Sequence, residues 1–219
     1  MIDPLGDGIS KVELIDRMGS DLTVVNCARV SLDKHHDEFE ESDTKLINYL
    51  AKHNHWTPFG HPMLQFRIKM PLFVAREWYR HNVGIVRNEV SRRYVNSTPQ
   101  FYYPTKWRTK PDKSIKQGSG GEHPDSLAWY EGVLDLTSDC ISVYTDMIED
   151  GIAPEMARMI LPQNMYTEFY ETASLYAYAR ICKLRIAPDA QQETRKYAEA
   201  VSELIEPLFP VSWRALREV

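Results

Sequence analysis

The residues best suited to chemistry stand in one run, RHNVGIVRNEVSRRY, residues 80–94, which gathers Arg80, His81, Arg87, Glu89, Arg92 and Arg93 in a chain of net charge −5. A guanidinium presents a fixed fork of N–H donors matched to phosphate or carboxylate, so several close together can grip an anion. They can equally form a solvated basic stretch that answers acidic neighbours. Trp78, Tyr79 and Tyr94 frame the run, and Asn88 and Glu89 sit inside it. That mixture sets part of it near buried surface and suits a phosphorylated heterocycle better than bulk solvent.

Two other stretches carry chemical residue types. HNHWTPFGH brings His53, His55 and His61 together, but no acidic ligand and no second H-x-x-H or C-x-x-C element accompanies the H-x-H pair, so no metal is expected. A histidine beside Trp56 and Thr57-Pro58 at a helix end suits contact with a flat ligand, or helix capping. In PEMARMILPQNMYTEFYETASLYAYARICKLR, Arg158, Arg180 and Arg185 punctuate apolar and aromatic surroundings, where an arginine needs an anionic partner or a route to water. No G-x-S-x-G elbow, Walker A loop or G-x-G-x-x-G fingerprint is present. The chain thus offers arginines without an obvious nucleophile.

The elements that position these residues follow from pattern. KVELI reads as a strand, and GSDLTVVNCARVS as a helix capped by Ser20 or Asp21. SDTKLINYLAKH reads as a helix ending near His53. In MLQFRIKM, Leu64, Phe66, Ile68 and Met70 alternate with Gln65, Arg67 and Lys69, the period of a half-buried strand. PLFVAREWYRH reads as a short helix opened by Pro71, which would put Arg76 and Arg80 one turn apart on one face. TPQFYYPT reads as a further strand. From there, a polar excursion at 106–125 is expected to be a flexible surface segment, followed by helices over 125–150, 153–161, a long segment after Pro162, and 188–208. Strands and helices first, helices last, predict an α+β architecture in one domain over residues 1–219.

Composition sets limits. At 43% hydrophobic and 26% charged residues the chain is an ordinary globular one. Its acidic balance argues against nucleic acid as a partner. Cys27, Cys140 and Cys182 are odd in number and lack C-x-x-C spacing, which suggests a reducing compartment and no structural zinc. No signal-peptide core and no run of eighteen apolar residues occurs, so a cytoplasmic protein with no membrane partner is expected.

Taken together, the motifs resemble the flavin-dependent thymidylate synthases, whose signature is R-H-R, a short spacer, then N-E-x-S-x-R-Y. The second half matches as Asn88, Glu89, Ser91, Arg93 and Tyr94. GSDLTVVNCARVS, YLAKHNHWTPFGH, PLFVAREWYRH, APEMARMILPQNMYT and LR at 184–185 stand in the family's order, so the likeness spans most of the chain. It implies a methyltransferase that converts dUMP to dTMP. Methylenetetrahydrofolate would give the carbon, FAD would carry the hydride and NADPH would reduce the flavin. It also implies a homotetramer with sites where subunits meet, and a central antiparallel sheet with helices.

Position by position, the resemblance places Glu77, Arg80, Glu89, Val90, Ser91, Arg92, Arg93, Arg158 and Arg185 at dUMP, with Arg185 the catalytic group against the uracil ring. It places Ser31, Thr57, Arg80, His81, Asn82, Glu89 and Arg180 at FAD, and His55 near flavin and folate. Several positions depart from the pattern. Asn82 replaces the second arginine of R-H-R, and the spacer VGIVR is one residue longer than the common form. Arg87 is the candidate to supply the missing charge. Gly60, Ser174 and Tyr176 replace flavin-side glutamate, asparagine and arginine, and Glu77 replaces a frequent glutamine. The alternative is a nucleotide-binding relative that binds dUMP with weak or lost FAD-dependent activity.

Overall fold

Residues 1–95, 97–112 and 118–218 are described by the computed structural model. Four strands, β1 (Lys11–Met18), β2 (Met63–Pro71), β3 (Ile85–Glu89) and β4 (Tyr166–Ser174), make one antiparallel sheet in the order β1-β2-β4-β3. β2 behaves as its alternation predicts: Leu64, Phe66, Ile68 and Met70 are buried, while Gln65, Arg67 and Lys69 lie on the wetter face. One face against a core and one toward water is the usual state of such a sheet.

Helices accompany the sheet, and most of them share the core on its apolar face. They are α1 (Asp21–Arg29), α2 (Glu41–Lys52), α3 (Leu72–Trp78), α4 (Ser126–Glu149), α5 (Pro154–Ala157), α6 (Leu175–Arg185), α7 (Gln192–Ile205) and α8 (Pro210–Arg217). Phe66 and Phe169 from the sheet pack with Val25, Ile47, Trp78, Tyr178, Tyr197 and Trp213 in the main core. A smaller cluster of Phe101, Tyr144, Ala157, Leu161 and Met165 seats α4 and α5. Ser20 is the N-cap of α1, as its sequence predicts. Asp21, the other candidate cap, instead accepts the Val211 and Ser212 amides at 2.9 Å each, capping α8 and tying the first helix to the last.

The α+β class is as predicted, but three local expectations are corrected. TPQFYYPT is not a strand; only Phe101 bridges Met165, because Pro99 and Pro104 lack the N–H a ladder needs. The segment after Pro162 is not one long helix but β4 followed by α6, so the C-terminal half is not all helical. The 153–161 helix is the single turn α5 continued by a 3-10 turn, Arg158–Ile160. β3 itself lies inside the arginine run, where no strand was expected. At the excursion, the Thr109 amide donates to the Gly121 carbonyl at 2.8 Å and the Gly120 amide to the Thr109 carbonyl at 2.9 Å; residues 113–117 lie outside the described residues. Among the described residues, no helix is long and apolar enough to cross a membrane, and no group of three His, Cys, Asp or Glu could hold a metal ion.

Candidate active site

Three helices meet at Arg185. It is the last residue of α6, and its Nε donates to His81 Nε2 at 2.9 Å. Its Nη1 pairs with Glu77 Oε1 on α3, and its Nη2 donates to the Glu77 main-chain carbonyl at 3.4 Å. The Thr194 hydroxyl, from the first turn of α7, donates to Glu77 Oε2 at 2.8 Å. Every nitrogen of the guanidinium is thereby held, and both oxygens of the carboxylate are used. Because His81 accepts at Nε2, a neutral ring carries its proton on Nδ1. Burial pushes the His81 pKa down to about 4, with Arg185, Arg87 and Arg180 adding to it, so the imidazole is uncharged at neutral pH.

Beyond His81 the chain makes a tight turn. The Ile85 amide donates to the Asn82 carbonyl at 3.4 Å, and Gly84 sits at φ +74°, a left-handed position that side chains disfavour. β3 then runs antiparallel to β4 with Arg87 opposite Glu171. Arg87 Nε pairs with the Glu171 carboxylate, which is fully buried and also accepts from Trp78 Nε1 at 3.2 and 3.1 Å. Arg87 Nη1 donates to Asn82 Oδ1 at 3.2 Å, and the guanidinium lies 5.2 Å from the Tyr79 ring centre. Burial raises the Glu171 pKa and Arg87 opposes that rise. Arg87 is therefore not a charge left at the end of the spacer for a diphosphate: strand alternation turns it inward onto Glu171, and Asn82 braces it.

The NEVSRRY half leads out of the strand. Glu89 Oε1 accepts the Thr167 hydroxyl at 2.5 Å, and the Val90 amide donates to the Glu168 carbonyl at 2.9 Å. The chain turns at Ser91, whose carbonyl accepts the Tyr94 amide at 3.0 Å and whose hydroxyl accepts Arg93 Nε at 3.3 Å. Arg92 Nη1 donates to the Ser97 carbonyl. Arg80 and Arg93 are exposed. Arg158 is exposed on the 3-10 turn, with Nε on the Glu155 carbonyl at 3.3 Å; among the described residues, no hydrogen bond or ion pair joins it to the Arg185 cluster.

The positions expected at a flavin are more scattered. Ser31 donates to the Ala28 carbonyl at 3.0 Å on a 3-10 turn after α1, Thr57 opens another 3-10 turn, and His55 is exposed. Asn54, Trp56, Tyr176 and Arg180 line one cleft. There the Trp56 and Tyr176 rings lie 5.6 Å apart, and the Tyr176 hydroxyl donates to Asn54 Oδ1 at 3.1 Å. Arg180 stands one helical turn beyond Tyr176 on α6. Ser174 caps that helix, accepting the Ala177 amide at 3.2 Å. So Glu77, His81 and Arg185 come together, and Asn82 joins Arg87, while Arg158 and Ser31 stay apart from them. Thr194, Thr167 and Glu171 belong to these networks without any sequence signal that would single them out.

A sequence family described as thymidylate synthase complementing protein matches residues 13–211. The chain belongs to this family. Among its relatives, a flavin-dependent thymidylate synthase of Thermus thermophilus is 41% identical over 207 residues, covering 94% of this chain and 75% of that protein. One from Thermotoga neapolitana is 34% identical over 204 residues, 93% of this chain and 89% of that protein. Among solved structures, the UMP/dUMP methylase PolB of Streptomyces cacaoi, bound with 5-Br dUMP, superposes with a TM-score of 0.86 at 30% identity over 95% of both chains. Within the thymidylate synthase complementing family, the Arg185 cluster and the NEVSRRY turn both fall inside the matched residues.

Proposed function

We propose that this chain is a flavin-dependent thymidylate synthase that methylates dUMP to dTMP, with methylenetetrahydrofolate as carbon donor and NADPH as reductant, its residues acting as one catalytic unit. The observation that carries the reading is the match over residues 13–211, which contains an arginine, Arg185, held edge-on by His81 and Glu77. Arg80, Arg92, Arg93 and Arg158, with the amides around Val90 and Ser91, bind the phosphate. Glu89 and Glu77 border the sugar and base. Arg185 faces the uracil, where its charge favours loss of the N3 proton and so enriches C5 for attack on the methylene carbon.

The residues suit a flavin. Trp56 and Tyr176 offer aromatic surface for a flat ring, Asn54 an amide, and Arg180 a cation within one turn of the family arginine that Tyr176 replaces. Ser31, Thr57, Arg80, His81 and Glu89 complete the set, with His55 nearby, while Asn82, which holds Arg87, adds no cation to it. FAD, when bound, supplies the hydride that NADPH provides.

An exposed apolar surface supports the same reading. Trp129, Leu136 and Val143, at seven-residue spacing along one side of α4, with Met156 and Met159 beyond it, are exposed large apolar side chains. Such a surface favours burial against another copy, as the homotetramer of this reading would provide. The test is the visible spectrum of purified protein, then FAD titration and turnover. Flavin absorbance bleached by NADPH, with dTMP formed from dUMP and the folate, supports the enzyme. A colourless protein that binds dUMP and ignores FAD would instead be a nucleotide-binding relative.

A further inference from the structure

The charge at the Arg185 cluster is balanced in a way the reaction does not require. Arg185 meets one full negative charge, Glu77, besides a neutral imidazole and a main-chain carbonyl. Glu77 is not a loose surface partner, since its side chain is 23% exposed, Arg185's is 18%, and Thr194, which holds its second oxygen, is fully buried. From the elements packed around, α7 contributes a hydroxyl, Thr194, and the segment after α3 contributes neutral His81. Arg180 from α6 and Arg87 from β3 act on His81 from farther off. Arg87 already has Glu171 as its counter-ion. Glu77 is thus the carboxylate in contact with the guanidinium that would act on a base.

An adjacent cation favours the ionised form of an acid, and an adjacent anion opposes it. We propose that Glu77 is a positioning residue with two separable effects: it anchors the Arg185 guanidinium against a bound uracil, and as counter-ion it restrains the departure of the N3 proton to solvent. This rests on the reading that Arg185 faces the uracil. Glu77→Gln separates the effects, because an amide keeps an oxygen for Arg185 Nη1 and offers N–H to Thr194, whose hydroxyl can turn to accept. Only the charge leaves. Glu77→Ala removes charge and anchor together.

The experiment uses flavin-loaded enzyme without folate and 5-fluoro-dUMP as probe, whose bound N3 ionisation is followed by its fluorine resonance against pH. In E77Q the bound probe should titrate lower by about one pH unit, roughly a tenfold change in the ionised ratio at fixed pH. Glu77→Asp, which keeps the charge, should restore most of the parental titration, and Thr194→Val should leave the titration near the parent's. E77A, which loses the anchor as well, should fall short of the E77Q downward shift and lose kcat by roughly tenfold or more against E77Q, because a displaced charge no longer acts on the ring. E77Q titrating like the parent, or T194V shifting as far as E77Q, overturns the counter-ion role. E77A and E77Q turning over alike overturns the anchoring role. Arg185→Gln separates this from the underlying reading: a probe that binds and titrates in R185Q as in the parent would show that Arg185 does not face the uracil at all.

Discussion

Arg87 on β3 stands directly opposite Glu171 on β4, and its Nε closes an ion pair on a carboxylate with no exposed surface. Removing one partner of a buried pair strands the other, so Arg87→Met should lower unfolding stability by about 3–5 kcal/mol in urea titrations. Arg87→Met/Glu171→Leu should recover most of that loss. The single variant also has a pH signature. Its unfolded chain releases the Glu171 proton near the ordinary 4.5 while the buried carboxyl keeps it, so the deficit should be smallest below that pH and grow above it. If the double variant binds FAD at least tenfold more weakly than the parent, Arg87 has a cofactor role that the inward pair does not account for.

His81 provides a direct reading of the charge around it. In Arg185→Gln, His81 should titrate above its value of about 4 but still below the ordinary 6.5, since burial, the larger cause, remains. A two-dimensional NMR titration of the imidazole nitrogens checks this. The sign for stability follows: the unfolded chain takes up a proton near 6.5 and the folded one near 4, so the parent loses stability as pH falls through that window. The variant should lose less of it.

Arg108 grips Glu193 with both terminal nitrogens, each 2.8 Å from a carboxylate oxygen. Burial alone would raise the Glu193 pKa, and Arg108, with smaller help from a backbone amide and Gln191, more than offsets it, holding the carboxyl below its ordinary 4.5. This contribution is full above pH 4.5 and is lost as pH falls through the lower folded value. Arg108→Met should therefore cost roughly 3 kcal/mol near neutrality, and the gap in melting temperature should narrow as the pH is lowered past 4.5.

Gly84 tests the turn. Nothing lies within 4 Å of a Cβ placed there, so Gly84→Ala meets only the left-handed backbone at φ +74° and should cost about 1–2 kcal/mol. Gly84→Asn, which tolerates that region better, should cost less. Equal losses in chemical denaturation would point to a clash instead of backbone strain.

How far the sequence reveals this fold depends on whether a residue's partner is near in the chain. β2 is plain in MLQFRIKM because its inward residues are all apolar. β4 is hidden because its inward set is Thr167, Phe169, Glu171 and Ala173, and a carboxylate at a core position erases the alternation until its partner on β3 is known. The NEVSRRY run and Arg185 are recognisable as motifs, but the contacts that define their setting are long-range. Glu77 and Thr194 lie 117 positions apart, and Trp78 and Glu171 lie 93 apart. No local pattern encodes such pairs. Arg87 shows the opposite error, since its place in a basic run suggests an outward charge whereas the pleat turns it inward.

The turn at Asn82–Ile85 and the strand after it respond differently to a change in length. Within β3 every residue has a side, and one more would exchange the two sides, swinging Arg87 outward and leaving Glu171 stranded. In the turn an added residue has no side to lose. Gly84 supplies the left-handed step of the turn before pairing starts, so a change of length there would keep parity from Ile85 onward and leave Glu89 in step with β4. Length can vary ahead of the NEVSRRY run without moving it, provided the variation stays on the near side of Ile85.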